Sequence, residues 1–286
     1  MNSKYTKILL ALTICLLMSA CSDDIFSGTD YFDNGKVTLR LVVPATTVVN
    51  TRANTDETIS GNDLYVIEYG DQGSCVAMRK VESSNFSDNT LIINDVNTKT
   101  TDIHIVANGN AILKGKDNIA KLDGVYCDEI PSPPVLWGHI NMSDLKSGTN
   151  NTVSLLRNVA MATLNKADSI KDKFVISGWE ITQTANQGSI APKDYTDGST
   201  NELAEDKLDK MIGNCKGSNA GEALYLFETP AKVDSRIVIK ANEKYYTANF
   251  LDKTGSKLPL LRNHHYIQTD RKSGSAGMPR PISYAV

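Results

Sequence analysis

The chain has 286 residues, 41% of them hydrophobic and 22% charged, and its 30 basic and 33 acidic side chains leave a net charge of −3. A balance this close to neutral, with no basic cluster, excludes nucleic acid and anionic lipid surfaces as partners recruited by charge. Cysteines that nowhere form a C-x-x-C spacing exclude the usual thiolate metal centres.

Residues 1–21 read as a lipoprotein signal peptide and lipobox and are set aside before any fold argument. Lys4 and Lys7 make a basic start, and Ile8 to Met18 is an apolar run too short to span a bilayer. Met18-Ser19-Ala20-Cys21 then places small residues before a cysteine, so Cys21 is the expected lipidation site and its acyl chain the expected hold on the membrane. An ordinary secretory leader with an incidental Cys21 is the alternative. Cys15 leaves with the leader. Residues 22–36 read as a flexible linker. Cys75, Cys127 and Cys215 remain, an odd set in which one disulfide is possible; Cys75 with Cys127 is the within-domain choice, although sequence cannot fix the pairing.

From Gly35 onward the pattern is period two, the mark of strands with one buried face. KVTLRLVVP puts Val37, Leu39, Leu41 and Val43 on one face, and Pro44 ends the run. LYVIEYG, TLIINDV and DIHIVANG continue at intervals set by Gly, Asn and Asp. The rhythm returns in FVISGWEIT, ALYLFET, RIVIKAN and KYYTANFLD, the last three spaced as a meander, with Asn242-Glu243 as the tight link between two of them. One segment departs from it. Between Ser199 and Ile212 the apolar residues suit helical spacing, Ser199 with Glu202 fits a capping box and Gly213 fits the stop, so a short helix is predicted there. Pro131, Pro133 and Pro134 make IPSPPVLWGHI an extended connector rather than a central strand. With the polar run from Ser147 to Thr152 it divides the chain into an N-terminal β-sandwich at 37–150 and a C-terminal one at 151–286.

LLRN occurs twice, at Leu155 to Asn158 and at Leu260 to Asn263, each after a turn-rich stretch and each entering an extended segment. His264 and His265 are the titratable neighbours of the second copy, and adjacent strand histidines point to opposite faces, so they cannot share one metal ion. The repeat therefore reads as structural, with Arg157 and Arg262 bonding carbonyls at domain corners.

The order of these features carries a resemblance. A lipobox, a first strand V-T-L-R-L-V-V-P, the step Thr51-Arg52-Ala53, VSLLRNVAMATLN, YLFETPA and a terminal LPLLRNHHYIQTD together resemble the fimbrillin family, the lipoprotein precursors of type V pili. The resemblance implies an all-β fold of two tandem transthyretin-like sandwiches. It implies cleavage after Arg52 by an arginine-specific protease, with Ala53 as the new N-terminus, in a polar stretch that should be exposed. It also implies passage from outer-membrane lipoprotein precursor to cell-surface fimbrium, a path with which the Asp23-Asp24 pair after the lipobox is compatible. Cleavage would remove the lipid and the strand bearing Val37, Leu39, Leu41 and Val43. Burial of four such side chains is worth about 6–12 kcal/mol before entropy, which an incoming strand from another subunit could recover. The matching donor is the tail, where Ile282, Tyr284 and Val286 share a face behind Pro279 and Pro281. That run is shorter than the family's donor, which leaves shaft, tip and terminating positions open.

Catalytic patterns are missing: there is no Gly-rich phosphate loop, no H-E-x-x-H and no G-x-S-x-G, and the offsets in DYTDGSTNELAE do not suit an EF-hand. No enzyme activity, cofactor or metal is expected. The expected partners are other pilus subunits, the processing protease and the outer membrane. The alternative is a surface-anchored glycan-binding β-sandwich lipoprotein that uses Trp137, Trp179 or Tyr245 as exposed aromatics, against the ordinary reading of a tryptophan beside a β core as part of that core.

Overall fold

Alternating polarity in the sequence becomes alternating burial in the strands. The computed structural model of the chain describes residues 35–45, 47–48, 59–146, 151–166, 175–193, 212–217, 221–252 and 254–270. The first half supplies β1 (Val37–Val42), β2 (Thr47–Val48), β3 (Leu64–Gly70), β4 (Cys75–Lys80), β5 (Phe86–Ser87), β6 (Thr90–Ile93), β7 (Thr100–Ala107), the short helix α1 (Asn110–Leu113), β8 (Tyr126–Cys127), β9 (Leu136–Asn141), β10 (Asn151–Ser154) and β11 (Leu156–Arg157). The second half supplies β12 (Ala160–Lys166), β13 (Ile176–Ala185), β14 (Gly188–Ser189), β15 (Ile212–Gly217), β16 (Ala223–Leu226), β17 (Arg236–Ala241), β18 (Lys244–Asn249) and β19 (His264–Asp270).

The fold is all-β, with sheets packed face to face as the alternation requires. A sheet in the order β10-β1-β6-β5 lies on one in the order β11-β9-β7-β3-β4. Leu39, Leu41, Leu91 and Ile93 from the first interlock with Val66, Ile103, Ile105 and Leu136 from the second. A second pair, β16-β12-β19-β2 and β15-β13-β17-β18, encloses Ala162, Leu164, Trp179, Ile181, Ile237 and Ile239. The chain from Asn34 on forms one compact unit.

β3 is buried along its whole length rather than on alternate residues. Leu64 and Val66 face the sandwich core, whereas Tyr65, Ile67 and Tyr69 face a further cluster built with Leu113, Ile119, Leu122 and Ile190. The segment after β7, and β14 pairing with β8, cover that outer face. One-sided alternation thus understates burial wherever a loop folds back over a sheet.

Three expectations change. The LWGHI end of the proline-rich stretch is not a connector: as β9 it lies inside its sheet between β11 and β7, with all three prolines falling before the strand begins. β17 and β18 form the antiparallel hairpin, and Asn242 and Glu243 turn it with φ of 47° and 60°, the left-handed pair a two-residue link needs. β16, however, pairs with β12 in the opposite sheet, so the three strands are not a meander. The corner between β16 and β17 carries Glu228 and Thr229, whose bonds to Arg262 and Leu260 turn the chain from one sheet to the other. Cys75 and Cys127 are free thiols, so the within-domain disulfide does not form. The predicted helix at 199–212 lies outside the described residues except for Ile212, which opens β15 together with Gly213.

Candidate assembly site

β1 is an interior strand. It pairs in parallel with β10, Leu39 opposite Asn151 and Leu41 opposite Val153, and antiparallel with β6, Val37 opposite Ile93 and Leu39 opposite Leu91. The backbone N–H of Leu41 donates to the Asn89 carbonyl at 2.8 Å, and that of Leu155 donates to the Val42 carbonyl at 2.8 Å. Val37, Leu39 and Leu41 are buried in the core, and Val43, just past the strand, packs against it partly buried. Arg40 and Val42 on the other face are exposed. The sequence therefore predicts the buried face of β1 by its alternation, but its place between two partners is a property of the sheet.

After Val42 the chain leaves this sheet and within a few residues reaches the other sandwich, where β2 pairs in parallel with β19, Thr47 opposite His264. Arg157, from the first LLRN, sits at this crossing. Its Nη1 donates to the Pro44 carbonyl at 3.0 Å and to Asn263 Oδ1 at 2.9 Å, and its side chain is almost wholly buried. The two copies of LLRN thus meet, the arginine of one on the asparagine of the other. Arg262, from the second copy, is equally buried. It donates from Nε to Glu228 Oε2 at 2.7 Å, from Nη1 to the Ile190 carbonyl at 2.8 Å and from Nη2 to Ser189 Oγ at 3.1 Å. Both guanidinium groups hold carbonyls where the chain changes sheet, as their fork geometry suits.

One cluster escaped the sequence reading. Asp102 and His104 are two apart on β7 and share a face, and His139 on β9 is the cross-strand partner of His104. Asp102 Oδ2 lies 2.9 Å from His104 Nε2, Asp102 Oδ1 lies 3.1 Å from His139 Nδ1, and these ligand-type atoms all fall within 4.8 Å of one another. Trp137 Nε1 donates to His104 Nδ1 at 3.2 Å, which leaves the ring proton on Nε2, pointing at Asp102. That nitrogen carries a hydrogen where a metal ligand needs a lone pair, so the group is built as a hydrogen-bonded relay. Burial alone would raise the Asp102 carboxyl; the hydrogen bonds from His104 and His139 outweigh it and hold the group at about 2. Burial lowers His104 against the opposing pull of Asp102 and keeps it neutral. Asp102 opens onto a cleft of about 510 Å³ that Tyr69, Asp71, Lys121 and Asn141 also line.

The remaining candidates divide by burial. Trp137 is fully buried and stacked on His139 at 5.3 Å, and Trp179 is 4% exposed inside the second core. Neither can stack on a sugar, which corrects their assignment as exposed aromatics; of the three, Tyr245 alone is on the surface. Cys127 is buried, and desolvation pushes its thiol up to about 11 despite the bond from Asn158. Cys21, Arg52, Ala53, Ile282, Tyr284 and Val286 lie outside the described residues.

No protein-family model and no curated protein sequence matches the chain. Solved structures do. A Parabacteroides distasonis protein with a proposed role in cell adhesion superposes with a TM-score of 0.55 at 14% identity, over 87% of this chain and 94% of that one. A fimbrial assembly protein from the same organism gives 0.50 at 16% identity, over 84% and 91%. The tip fimbrial protein Mfa3 of Porphyromonas gingivalis, truncated at its C-terminus, gives 0.51 at 13% identity, over 83% and 97%. The chain therefore has the fold of these fimbrial and adhesion proteins.

Proposed function

We propose that this chain is a structural, non-catalytic subunit of a type V pilus. It is exported as a lipoprotein through Cys21, cleaved between Arg52 and Ala53, and polymerised by strand exchange into a cell-surface fimbrium that supports adhesion. The observation that carries the reading is the position of β1: a strand upstream of Arg52 that is interior to its sheet and contributes three side chains to the core. An edge strand could leave with little consequence. Loss of an interior one leaves β10 and β6 each with a row of unpaired backbone groups around an apolar groove, the template that an incoming strand fills. The fold shared with a fimbrial assembly protein and a tip fimbrial protein supports the same reading.

The partners are then neighbouring subunits, an arginine-specific protease, and the outer membrane until the lipid is removed. The candidate donor strand is the face of Ile282, Tyr284 and Val286. We read the chain as a leader, 1–21, a linker, 22–36, and two sandwiches, 37–150 and 151–286; β10 and β11, just past that division, pair with β1 and β9.

Lipidated precursor treated with an arginine-specific protease should yield a product beginning at Ala53 that forms polymers. Arg52→Ala should leave folded, membrane-bound monomer. Normal polymerisation of that variant, or a native precursor that resists the protease, refutes the mechanism.

A further inference from the structure

The Pro44 carbonyl is held by a buried arginine, and both partners in that bond have unequal fates under the proposed function. Pro44 lies upstream of Arg52 and departs with β1; Arg157 lies downstream and stays. We infer that Arg157 is a positioning residue for assembly: its Nη1 fixes the register of the strand that replaces β1 by binding a backbone carbonyl at the place Pro44 occupies in the precursor. This inference rests on the strand-exchange reading and adds to it a residue and a rule for the incoming strand.

The argument begins with register. A strand entering the groove meets identical ladder groups at every second residue, so backbone pairing alone tolerates a slip of two, and only side-chain fit or an end stop selects one alignment. The pockets filled by Val37, Leu39 and Leu41 accept any comparable aliphatic side chain and discriminate weakly against such a slip. Arg157 supplies the stop. Its side chain is 1% exposed, and its Nη1 also donates to Asn263 Oδ1 at 2.9 Å, which braces the group independently of the departing segment. The backbone beside it is tied as well: Asn158 N–H donates to the Val135 carbonyl and Asn263 N–H to the Val159 carbonyl, both at 2.9 Å.

A braced, buried cation that loses an acceptor gains most from regaining one in the same place, because charge-assisted bonds are about twice as strong as neutral ones. The acceptor is a main-chain carbonyl, so the rule concerns position and not side-chain identity. A competent donor presents apolar side chains in the order of Val37, Leu39 and Leu41 and continues far enough to place a carbonyl where that of Pro44 stood.

The test uses full-length precursor, cleaved with an arginine-specific protease and freed of the released segment. Two amidated synthetic peptides serve as probes, one matching residues 36–43 and one matching residues 36–45, and their affinities are read by fluorescence polarisation. The longer peptide, which includes the Pro44 carbonyl, should bind wild-type protein about tenfold tighter. In Arg157→Met that advantage should shrink to about twofold or less, which separates the carbonyl from any apolar gain of the added residues. Where Arg157→Met fails to fold, wild-type protein is probed with the 36–45 peptide carrying an ester in place of the Pro44–Ala45 amide. That weaker acceptor should cost severalfold in affinity.

Equal affinity of both peptides for wild type, an advantage retained in Arg157→Met, or an ester peptide that binds as well as the amide overturns the role of Arg157 and leaves strand exchange standing. Failure of both peptides to bind the processed protein means that no vacant groove exists, and both readings fall together.

Discussion

Charge states inside this protein are set by which neighbour donates to which atom, and Asp102 shows the consequence. Its carboxylate accepts from two histidines, and Trp137 fixes the tautomer of one of them. The folded carboxyl is held at about 2 against an ordinary 3.8, and the folded His104 ring is held below its ordinary 6.5. In both cases the unfolded chain takes up its proton first as pH falls, so both terms favour folding at neutral pH and are lost on acidification. Stability in urea should therefore be level above about pH 6.5, decline below it as unfolded His104 is protonated, and lose about 2 kcal/mol more between the two carboxyl values. Asp102→Asn should shrink the lower step by about 2 kcal/mol, leaving the smaller share of Asp234 and Asp252, which are also held below the ordinary value; a wild-type protein whose stability rises on acidification contradicts the assignment. The i, i+2 spacing of Asp102 and His104 is visible in the sequence as DIH. His139 is not, because its place beside them depends on the register of β7 against β9.

At the scale of elements, what separates one strand from the next is how closely backbones can approach. β10 and β11 carry the chain from one sheet of the first sandwich to the other, and at that corner the Ser154 carbonyl lies against Gly138 of β9. A Cβ on Gly138 would fall on that oxygen and lie 2.9 Å from Val153 Cγ1. Gly138→Ala should then destabilise the fold by about 1–3 kcal/mol, measured as a lower urea midpoint at unchanged slope. An unchanged midpoint means that the corner can shift and that the approach is not required. Strand positions such as β1, β6 and β17 were legible from period two, since one buried face is enough to write it. Partners were not: the spacing of ALYLFET before RIVIKAN suits neighbours equally well in one sheet or in two facing sheets.

For the whole molecule the decisive quantity is the share of stability held by the N-terminal segment. Val37, Leu39 and Leu41 are together worth about 4–9 kcal/mol, comparable with the entire stability of an ordinary domain. Under the proposed function, the cleaved protein separated from residues 21–52 should melt about 10–30 °C below the precursor, or fail to stay monomeric, and the 36–45 peptide should restore most of the loss. Equal melting temperatures before and after removal would show that β1 is dispensable. On that proposal the subunit would be stable as precursor, marginal once processed, and stable again only in the polymer.

The order of residues by itself determined that the fold is all-β, which face of β1 is apolar, and that Arg157 and Arg262 bond carbonyls at corners. Those properties are local, written by side-chain period and turn chemistry along a few residues. Tertiary structure alone decided that β1 has a partner on each side, that Trp137 and Trp179 are core residues, that Cys75 and Cys127 stay apart, and that Arg157 reaches Pro44 and Asn263. Each of these depends on which distant segments lie side by side, and that is settled by the packing of whole sheets, for which no short stretch of chain carries the information.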